Sequence, residues 1–356
     1  SDVPVLVHVV TKKGAGYLPA EKDPSRFHGV GPYDIKTGAS VKSSSSALTY
    51  TQAFTAAFEH EAERDERICA ISAAMIDGTG LRSFATKHPE RCFDVGIAEA
   101  HAVGMASGLA LGGQKPVVAL YSTFLQRAVD QVIINVALCN LDVVFAIDRA
   151  GLVGDDGPTH HGMFDMALLR TVPNMKIIAP SNEAELVHAL HTALMLQGPV
   201  ALRYPRGAAQ GVALPQDPLY MKPGCARVVR EGDDASILAF GRMVSYALNA
   251  AEQLESEGYH VRVVDMRWVK PLDRQAICDA ARTGVVVTVE DGVSIGGAGE
   301  GVAEVLAEAG LNPAFEILGL PDSFVEQGKV DQLFADLGID AQGIAQTLRT
   351  HLSAKS

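Results

Sequence analysis

The sequence places one glutamate, Glu99, where a short strand gives way to a helix rich in alanine and glycine. A carboxylate in such a semi-buried corner can hold or shuttle a proton on a nitrogen heterocycle. Small neighbours, among them Gly96 and Ala98, would let a flat ring approach closely. The positive end of a helix also favours any carboxylate by about 0.3–1 kcal/mol, and for Glu99 taken alone this structural role is the favoured interpretation.

Aromatic and basic side chains follow the strand predicted at residues 116–121. Ligands of parallel sheets gather beyond the carboxyl ends of the strands, which is where Tyr121, Phe124 and Arg127 lie. Phe124 could stack on a heterocycle, with Arg127 beside it. A lone phenylalanine usually belongs to the core and a lone arginine is usually solvated. In combination with Glu99, we interpret the segment as part of a ligand site.

The loop at residues 148–162 concentrates carboxylates, two imidazoles and an arginine among glycines. Such density at the mouth of a strand favours a functional site over a solvated turn. His160 or His161 could donate or accept a proton near neutral pH. The spacing fits neither a zinc cluster nor a calcium loop, because the regular carboxylate alternation and the terminal glutamate of an EF-hand are missing.

Two arginines come just after predicted strands. Arg149 follows the strand at residues 142–147, and Arg206 follows an apolar strand that ends near Arg203. Planar guanidinium groups could clamp one phosphate between them. Each arginine alone is usually a partner in a surface ion pair, but jointly they favour a phosphate site.

A glycine-rich run at residues 296–301 opens a predicted helix. The gap from the preceding strand is long and no acidic residue for a ribose is evident, so a dinucleotide loop is a weak interpretation. Tight packing of the helix on the sheet, or a contact between subunits, is favoured. The sequence contains no P-loop, no serine nucleophile elbow and no HExxH motif.

Alternating helices and strands must position these side chains. The first series comprises helices at 49–64, 99–111, 123–138 and 182–195 and strands at 68–71, 116–121, 142–147 and 176–179. The second comprises strands at 236–240, 260–264 and 285–289 and helices at 244–257, 274–281, 300–309 and 341–352. Because the strands lack polar alternation, they indicate mainly parallel sheets covered on both faces.

The predicted fold class is therefore α/β, with two tandem doubly wound domains at residues 48–210 and 225–356. A linker rich in small polar residues occupies residues 36–47. The apolar run at residues 3–10 predicts a buried strand, and a chain that opens on a core strand looks like a piece of something larger.

Composition narrows the functional classes. With 356 residues and a formal net charge of −12, the chain is not expected to bind nucleic acid, because a phosphate backbone would be repelled. Five scattered cysteines fit a reducing compartment, and we expect a cytoplasmic protein. No apolar run is long enough for a bilayer, so no membrane partner is expected.

The motifs together resemble the 1-deoxy-D-xylulose-5-phosphate synthase family, thiamine diphosphate enzymes of the transketolase superfamily. The resemblance runs almost end to end and is carried by residues 11–17, 19–24, 27–30, 94–101, 148–154 and 203–207. It implies transketolase-like pyrimidine-binding and carboxy-terminal domains. Residues 1–35 would then be the end of a diphosphate-binding domain.

The resemblance also implies a reaction, in which pyruvate and D-glyceraldehyde 3-phosphate are joined with loss of carbon dioxide as the first step of non-mevalonate isoprenoid synthesis. Thiamine diphosphate would supply the carbanion chemistry, activated through Glu99. The implied residues are Glu99, His160 and His28 for catalysis, Tyr17, Glu99, Ile97, Phe124 and Arg127 for the cofactor, and Tyr121, Arg149, Asp156 and Arg206 for the substrate.

One part of the family pattern is missing. Such enzymes hold magnesium and the diphosphate with Gly-Asp-Gly and a later asparagine, whereas residues 154–157 read Gly-Asp-Asp-Gly without that asparagine. We therefore expect no metal ligand in this chain, and expect Mg²⁺ to be bound by a missing amino-terminal domain. A homodimer is also expected, since the apolar Gly/Ala helices could bury against a second copy.

Two alternatives remain open from the sequence. A β subunit of the first component of a 2-oxoacid dehydrogenase would share both domains and would naturally lack the diphosphate motif, although it does not need residues 12–30. A non-catalytic module of the same fold is the other, and the intact Glu99, Arg149, His160 and Arg206 argue against it.

Overall fold

The computed structural model describes residues 2–24, 26–27, 30–41 and 48–355. The chain divides into two compact units, Ser1–Ser46 and Ala47–Ser356. In the smaller unit, the short helix α1 (Leu18–Lys22) follows Tyr17. The ring of Tyr17 lies 5.4 Å from that of Phe27 and 6.0 Å from that of Tyr33.

The prediction of a buried strand at residues 3–10 is wrong. This segment forms no strand, and its apolar side chains are exposed, Leu6 by 93%. A strand needs hydrogen-bonding neighbours and a covered face. The described residues of the smaller unit offer this segment neither.

The larger unit alternates strands and helices along its whole length. Its strands are β1 (Ile68–Ser72), β2 (Cys92–Asp94), β3 (Lys115–Tyr121), β4 (Val144–Asp148), β5 (Lys176–Ile178), β6 (Val200–Arg203), β7 (Arg227–Arg230), β8 (Ala235–Ala239), β9 (Val261–Asp265), β10 (Trp268–Lys270), β11 (Val285–Val293) and β12 (Ala314–Leu320). Its helices are α2 (Tyr50–Arg64), α3 (Arg82–Lys87), α4 (Glu99–Leu111), α5 (Ser122–Leu125), α6 (Val129–Gln131), α7 (Asp165–Arg170), α8 (Glu183–Met195), α9 (Met243–Glu255), α10 (Arg274–Ala281), α11 (Ala298–Glu308), α12 (Val330–Asp336) and α13 (Ala341–Lys355).

Seven strands form the first sheet in the order β10-β5-β6-β4-β3-β1-β2, and every neighbouring pair except β10 and β5 is parallel. Strands β1, β4 and β6 are buried throughout, which accounts for their continuous apolar sequences. Alternate residues of β3 enter two different hydrophobic clusters, Val118 one and Val117 the other. The sheet is therefore covered on both faces, as predicted.

Five strands form the second sheet in the order β12-β11-β8-β9-β7. Its pairs are parallel apart from β7 and β9. The predicted α/β class with mainly parallel sheets is confirmed. Two strands of this sheet, β7 and β12, were not predicted, because neither is a buried apolar run and both mix charged with apolar residues.

Strand β10 follows β9 in the chain but leaves the second sheet. It pairs antiparallel with β5 at the edge of the first sheet, with Trp268 opposite Ile178 and Lys270 opposite Ile177. Arg267 makes the change of direction in a left-handed conformation, with φ of 56°. The indole of Trp268 is fully buried in the core of the first sheet.

Helix starts follow local capping chemistry. Thr49 and Gln52 form a capping box at α2, and Asn182 caps α8 by accepting from the backbone N–H of Glu185.

The predicted helix at residues 123–138 is present as an irregular run, in which α5, a tight turn, α6 and a wide turn at Val132–Ala137 follow one another. The crowded β-branched side chains of that run suit a strained helix. No helix in the described part of the chain is long and apolar enough to cross a membrane.

Candidate active site

The strand order of the first sheet changes direction at β1. Strand β2 pairs with β1 on one side, and the next strand in the chain, β3, pairs with it on the other. A crevice for ligands forms beyond the carboxyl ends of strands at such a point. Tyr121 ends β3 there, and its hydroxyl lies so close to Gly78 that a Cβ atom at that glycine would collide with it. The loops after β1 and β3 thus meet at this edge.

Glu99 begins α4 at the same edge. Its side chain is only 4% exposed, and its Oε1 accepts a hydrogen bond of 2.6 Å from the guanidinium of Arg127, which is 56% exposed. The second carboxylate oxygen, Oε2, has no protein partner among the described residues. One oxygen is therefore held while the other is available to a ligand.

The turn before Glu99 is ordered by Asp94. Oδ1 of Asp94 accepts from the backbone N–H groups of Ala74, at 2.8 Å, and Gly96, at 3.0 Å. Gly96 has φ of 70°, and a Cβ atom there would meet nothing within 4 Å. Ile97 is 80% exposed. The open space beside this turn agrees with the expectation that small residues leave room for a ring.

Phe124 lies at the centre of an aromatic and basic cluster. Its ring stacks on Tyr121 at 5.6 Å, the guanidinium of Arg127 lies 4.9 Å from its centroid, and His160 approaches edge-on at 5.6 Å. Because Arg127 also binds Glu99, five side chains from three separate parts of the sequence converge at one edge of the sheet.

Arg149 is held firmly against this cluster. Its guanidinium lies 4.1 Å from the centroid of the Tyr121 ring and donates to the carbonyl oxygen of Gly78 at 2.6 Å. It also pairs with the buried carboxylate of Asp148, to which Thr51 donates at 3.0 Å. Burial raises the pKa of Asp148 to about 6, against the opposing influence of Arg149. Thr51 and Asp148 were not predicted as part of the site.

Arg206 is more exposed and forms an ion pair with Asp156. Burial raises the pKa of Tyr121, and the charges of both Arg149 and Arg206 act on that hydroxyl in the opposite direction. Both arginines are thus neighbours of Tyr121. Each is paired with a carboxylate through Nη1, which orients the guanidinium group. Nε and Nη2 of both arginines have no hydrogen-bond partner among the described residues, so they are available to a phosphate.

The two histidines of the loop differ in their surroundings. His160 is half-buried, with Nδ1 2.9 Å from the hydroxyl of Thr159. His161 is buried, and its Nδ1 accepts from the backbone N–H of Val153 at 3.1 Å. Its Nε2 lies 3.3 Å from the carbonyl oxygen of Glu326. His160 therefore remains the candidate for proton transfer, whereas both nitrogens of His161 are engaged.

A cavity of about 640 Å³ opens beside these residues. Its lining is aromatic and polar, comprising Thr123, Phe124, Gln126, Arg127, Pro158, Thr159, His161, Phe164 and Phe324. Phe324 follows β12 of the second sheet and was not predicted. Phe324 lies far in sequence from the other residues of this lining, so no local sequence pattern could have predicted that it joins them.

Two further predicted residues, Tyr17 and His28, belong to the smaller unit. The hydroxyl of Tyr17 donates to the carbonyl oxygen of Ile35 at 2.9 Å. His28 lies outside the described residues. Among the residues that are described, no group of three or more His, Cys, Asp or Glu side chains could hold a metal ion.

Arg203 does not face the crevice. Its buried guanidinium donates to Asp165 at 2.8 Å and to Asp291, on β11 of the second sheet, at 2.6 Å. Removing one partner of such a buried pair leaves an uncompensated charge. This arginine therefore ties the two sheets together.

The glycine-rich run at residues 296–301 surrounds a carboxylate of the chain itself. Glu290 is buried and accepts from the backbone N–H groups of Ala298, at 2.9 Å, and Gly299, at 2.8 Å. A Cβ atom at Gly299 would lie 2.6 Å from both Ile317 and Thr288. The favoured prediction of tight packing fits this arrangement, and the helix amides that a phosphate would need are occupied.

Comparison with known proteins places the chain in a family. The transketolase pyrimidine-binding domain matches residues 46–211, and the transketolase C-terminal domain matches residues 224–344. A solved structure described as a split gene transketolase, an inactive β4 tetramer, is 32% identical with a TM-score of 0.76, over 87% of this chain and 100% of that one. The chain belongs to the transketolase family.

Another transketolase, from Campylobacter jejuni, shares the fold of this transketolase-family chain. It is 21% identical with a TM-score of 0.71, and the match covers 86% of this chain and 47% of that protein. Two curated relatives are named 1-deoxy-D-xylulose-5-phosphate synthase. The one numbered 1 from Geobacter sulfurreducens is 53% identical over 99% of this chain and 56% of its own length. That of Syntrophotalea carbinolica is 54% identical over 98% of this chain and 55% of its own length.

These relatives confirm the resemblance predicted from the sequence motifs. They give no support to the alternative of a 2-oxoacid dehydrogenase β subunit. The chain spans about half the length of the curated relatives it matches.

Proposed function

We propose that the chain forms the pyrimidine-binding and carboxy-terminal parts of a thiamine diphosphate-dependent 1-deoxy-D-xylulose-5-phosphate synthase. The enzyme would join pyruvate to D-glyceraldehyde 3-phosphate and release carbon dioxide. The observation that carries the proposal is the buried Glu99 carboxylate, held by Arg127 through one oxygen beside the ring of Phe124. The names of the relatives at 53% and 54% identity support the choice of reaction.

The residues at the sheet edge fit the aminopyrimidine ring of the cofactor. Glu99 offers a carboxylate oxygen without a protein partner in the described structure, Phe124 offers an aromatic face, and the adjoining cavity measures about 640 Å³. When bound, thiamine diphosphate supplies the carbanion chemistry that this reaction needs. Glu99 would hold a proton at the pyrimidine ring nitrogen, and Arg127 would keep the carboxylate aimed at it.

Other residues of the chain would complete the cofactor site. Phe124 would flank the rings, and Ile97, which is 80% exposed, would support the cofactor's bent shape. Tyr17 is carried over from the family resemblance as a further cofactor-binding residue. Mg²⁺ and the diphosphate would be bound by the part of the relatives' length that the chain does not span. No residue of this chain is proposed as a metal ligand.

The substrate would bind on the Arg149 side of Phe124. Arg149 and Arg206 would bind the phosphate of glyceraldehyde 3-phosphate through Nε and Nη2, while Asp148 and Asp156 keep their pairing with Nη1 and orient the two guanidinium groups. Tyr121 and Asp156 would line the pocket. His160 would move a proton to or from the carbonyl oxygen of the aldehyde, with His28 as a second proton carrier.

A homodimer belongs to the same proposal. Large apolar side chains on α4 and on the run that follows α6 are exposed, namely Leu111 by 75%, Leu138 by 72% and Ile134 by 51%. Such a patch marks an interaction surface. We assign it to a second copy of the chain, and sedimentation of the protein at micromolar concentration tests that assignment.

Cofactor titration and product analysis test the proposed function. The chain is mixed with the amino-terminal part of the Geobacter sulfurreducens relative, thiamine diphosphate, Mg²⁺ and both substrates, and 1-deoxy-D-xylulose 5-phosphate is quantified. The Glu99→Gln variant is the matched control, and it should bind the cofactor but form at least about a hundredfold less product. If the wild-type mixture binds no thiamine diphosphate, the chain is a non-catalytic module. If it binds the cofactor but transfers acyl groups to a thiol acceptor instead, the choice of substrate is wrong.

A further inference from the structure

We infer that His161 is a positioning residue through which the segment at residues 324–328, after β12, holds the loop at residues 151–162 in place. The inference rests on the proposed function, since that loop carries His160 and Asp156. His161 itself does not face the reacting atoms in this proposal. It would act by fixing the loop on which they lie.

The hydrogen bonds of His161 define its tautomer. The backbone N–H of Val153 can only donate, so Nδ1 of His161 accepts and carries no proton. A carbonyl oxygen can only accept, so Nε2 donates to Glu326. The ring is therefore neutral, and burial lowers its pKa in agreement with this. One nitrogen closes the loop on itself, and the other reaches the segment that follows β12.

The base of the loop is closed by a reciprocal pair of backbone hydrogen bonds. Gly151 donates to Gly162 at 2.9 Å, and Gly162 donates to Gly151 at 2.7 Å. Between them the loop contacts the later segment, because a Cβ atom at Gly157 would lie 3.2 Å from Cβ of Gln327 and one at Gly154 would lie 3.0 Å from the carbonyl oxygen of Gly328. A side chain at Gly154 or Gly157 would therefore crowd the segment at residues 324–328.

An aromatic contact continues the same interface. The rings of Phe164 and Phe324 meet edge to face at 6.3 Å, and both line the cavity that Phe124 and Arg127 also line. A displacement of the segment at residues 324–328 would thus reach the candidate catalytic loop through a hydrogen bond and close packing at once. The carboxy-terminal part of the chain would thus help to hold the candidate catalytic loop in place.

Two substitutions separate the two hydrogen bonds of His161. In His161→Gln the side-chain amide can reproduce the donor at Nε2 and so keep the bond to Glu326. In His161→Asn the side-chain oxygen can reproduce the acceptor at Nδ1 and keep only the bond to Val153. The inference predicts that His161→Gln stays within about threefold of wild-type turnover, whereas His161→Asn loses roughly tenfold, the effect of one hydrogen bond.

Hydrogen exchange provides a readout that does not depend on activity. In the 356-residue chain, amides of residues 154–162 should exchange roughly tenfold faster in His161→Asn than in the wild type, and at the wild-type rate in His161→Gln. The amide of Val153 is left out of this comparison, because it loses its acceptor in His161→Gln. Equal exchange in all three proteins would overturn the inference even if the enzyme is active. Faster exchange throughout the chain in both variants would also overturn it, because His161 would then be a general stabilising residue. Failure of the wild type to form product, with the predicted exchange pattern intact, would count against the proposed function alone.

Discussion

The carboxylate of Glu99 and the guanidinium of Arg127 share a hydrogen bond of 2.6 Å, although one side chain is 4% exposed and the other 56%. The pair spans the boundary between protein and crevice. Its buried member is held by a partner that solvent can reach, and a ligand entering the crevice would contact both. The pair is therefore the part of the site at which substitutions are most informative.

Loss of the carboxylate should affect turnover more than folding. We expect Glu99→Gln to lower the turnover number about 10²–10⁴-fold, the usual contribution of a positioned acid–base group. Arg127→Gln leaves the buried carboxylate of Glu99 without its counter-charge and should destabilise the folded protein by about 1–3 kcal/mol. Steady-state kinetics and calorimetry of the assembled enzyme measure the two effects. Equal turnover in wild type and Glu99→Gln would contradict the role given to this residue.

The support of Arg149 by Asp148 predicts a substrate-selective defect. Asp148→Asn removes the charge that orients the guanidinium, so the KM for glyceraldehyde 3-phosphate should rise roughly tenfold. The KM for unphosphorylated glyceraldehyde should barely change. Burial raises the pKa of Asp148 to about 6. The difference in this KM between the wild type and Asp148→Asn should therefore shrink below that pH, because Asp148 becomes protonated.

Thr51→Val is the matched control for this prediction. It removes the hydrogen bond of 3.0 Å to Asp148 without removing the charge, and its effect on the same KM should be smaller. A similar loss with both aldehydes would show that Asp148 supports the fold rather than the phosphate site.

Glu290 should make stability depend on pH. Burial raises its pKa from 4.5 to about 7, with Arg203 acting in the opposite direction and Asp291 in the same one. An acid with a raised pKa in the folded state contributes stability below its unfolded pKa, and this contribution is lost as the pH rises through about 7. In Glu290→Gln the fall of the melting temperature between about pH 4.5 and pH 7 should become shallower. Glu300→Gln, on the exposed side of α11, should leave that slope unchanged, and identical slopes in all three proteins would refute the assignment.

The glycine run should tolerate no side chain at its packed position. A Cβ atom at Gly299 would lie 2.6 Å from Ile317 and Thr288, so Gly299→Ala should destabilise the protein by about 1–3 kcal/mol. Gly108→Ala, in a helix where a Cβ atom meets nothing within 4 Å, should be neutral or stabilising by up to about 1 kcal/mol. Urea unfolding monitored by circular dichroism compares them. A stable Gly299→Ala variant would mean that the helix can move away from β12.

Local sequence was sufficient to predict the parts of the site that lie at strand ends. The helix bounds at residues 99–111 agree with α4, and Tyr121, Arg149 and Arg206 follow strands as expected. Neighbouring parallel strands bring their carboxyl ends together, so proximity at the sheet edge could be inferred without knowing the strand order.

The supporting contacts could not be predicted in this way. Thr51 and Asp148 are 97 positions apart in sequence, and His161 and Glu326 are 165 apart. Neither pair leaves a periodic pattern, because each depends on how the sheets and loops meet. The prediction of a strand at residues 3–10 was wrong for a different reason. The local apolar pattern predicts a strand, but it does not show whether neighbouring strands and a covered face are present.

Strand β10 makes the two halves of the larger unit mutually dependent. A protein cut near residue 215 would lose Trp268 from the core of its amino-terminal half and would leave β5 as a bare edge, which invites pairing between molecules. Exchange of either half with that of a related enzyme would meet the same obstacle, unless residues 268–270 and their buried indole travelled with the sheet that they complete.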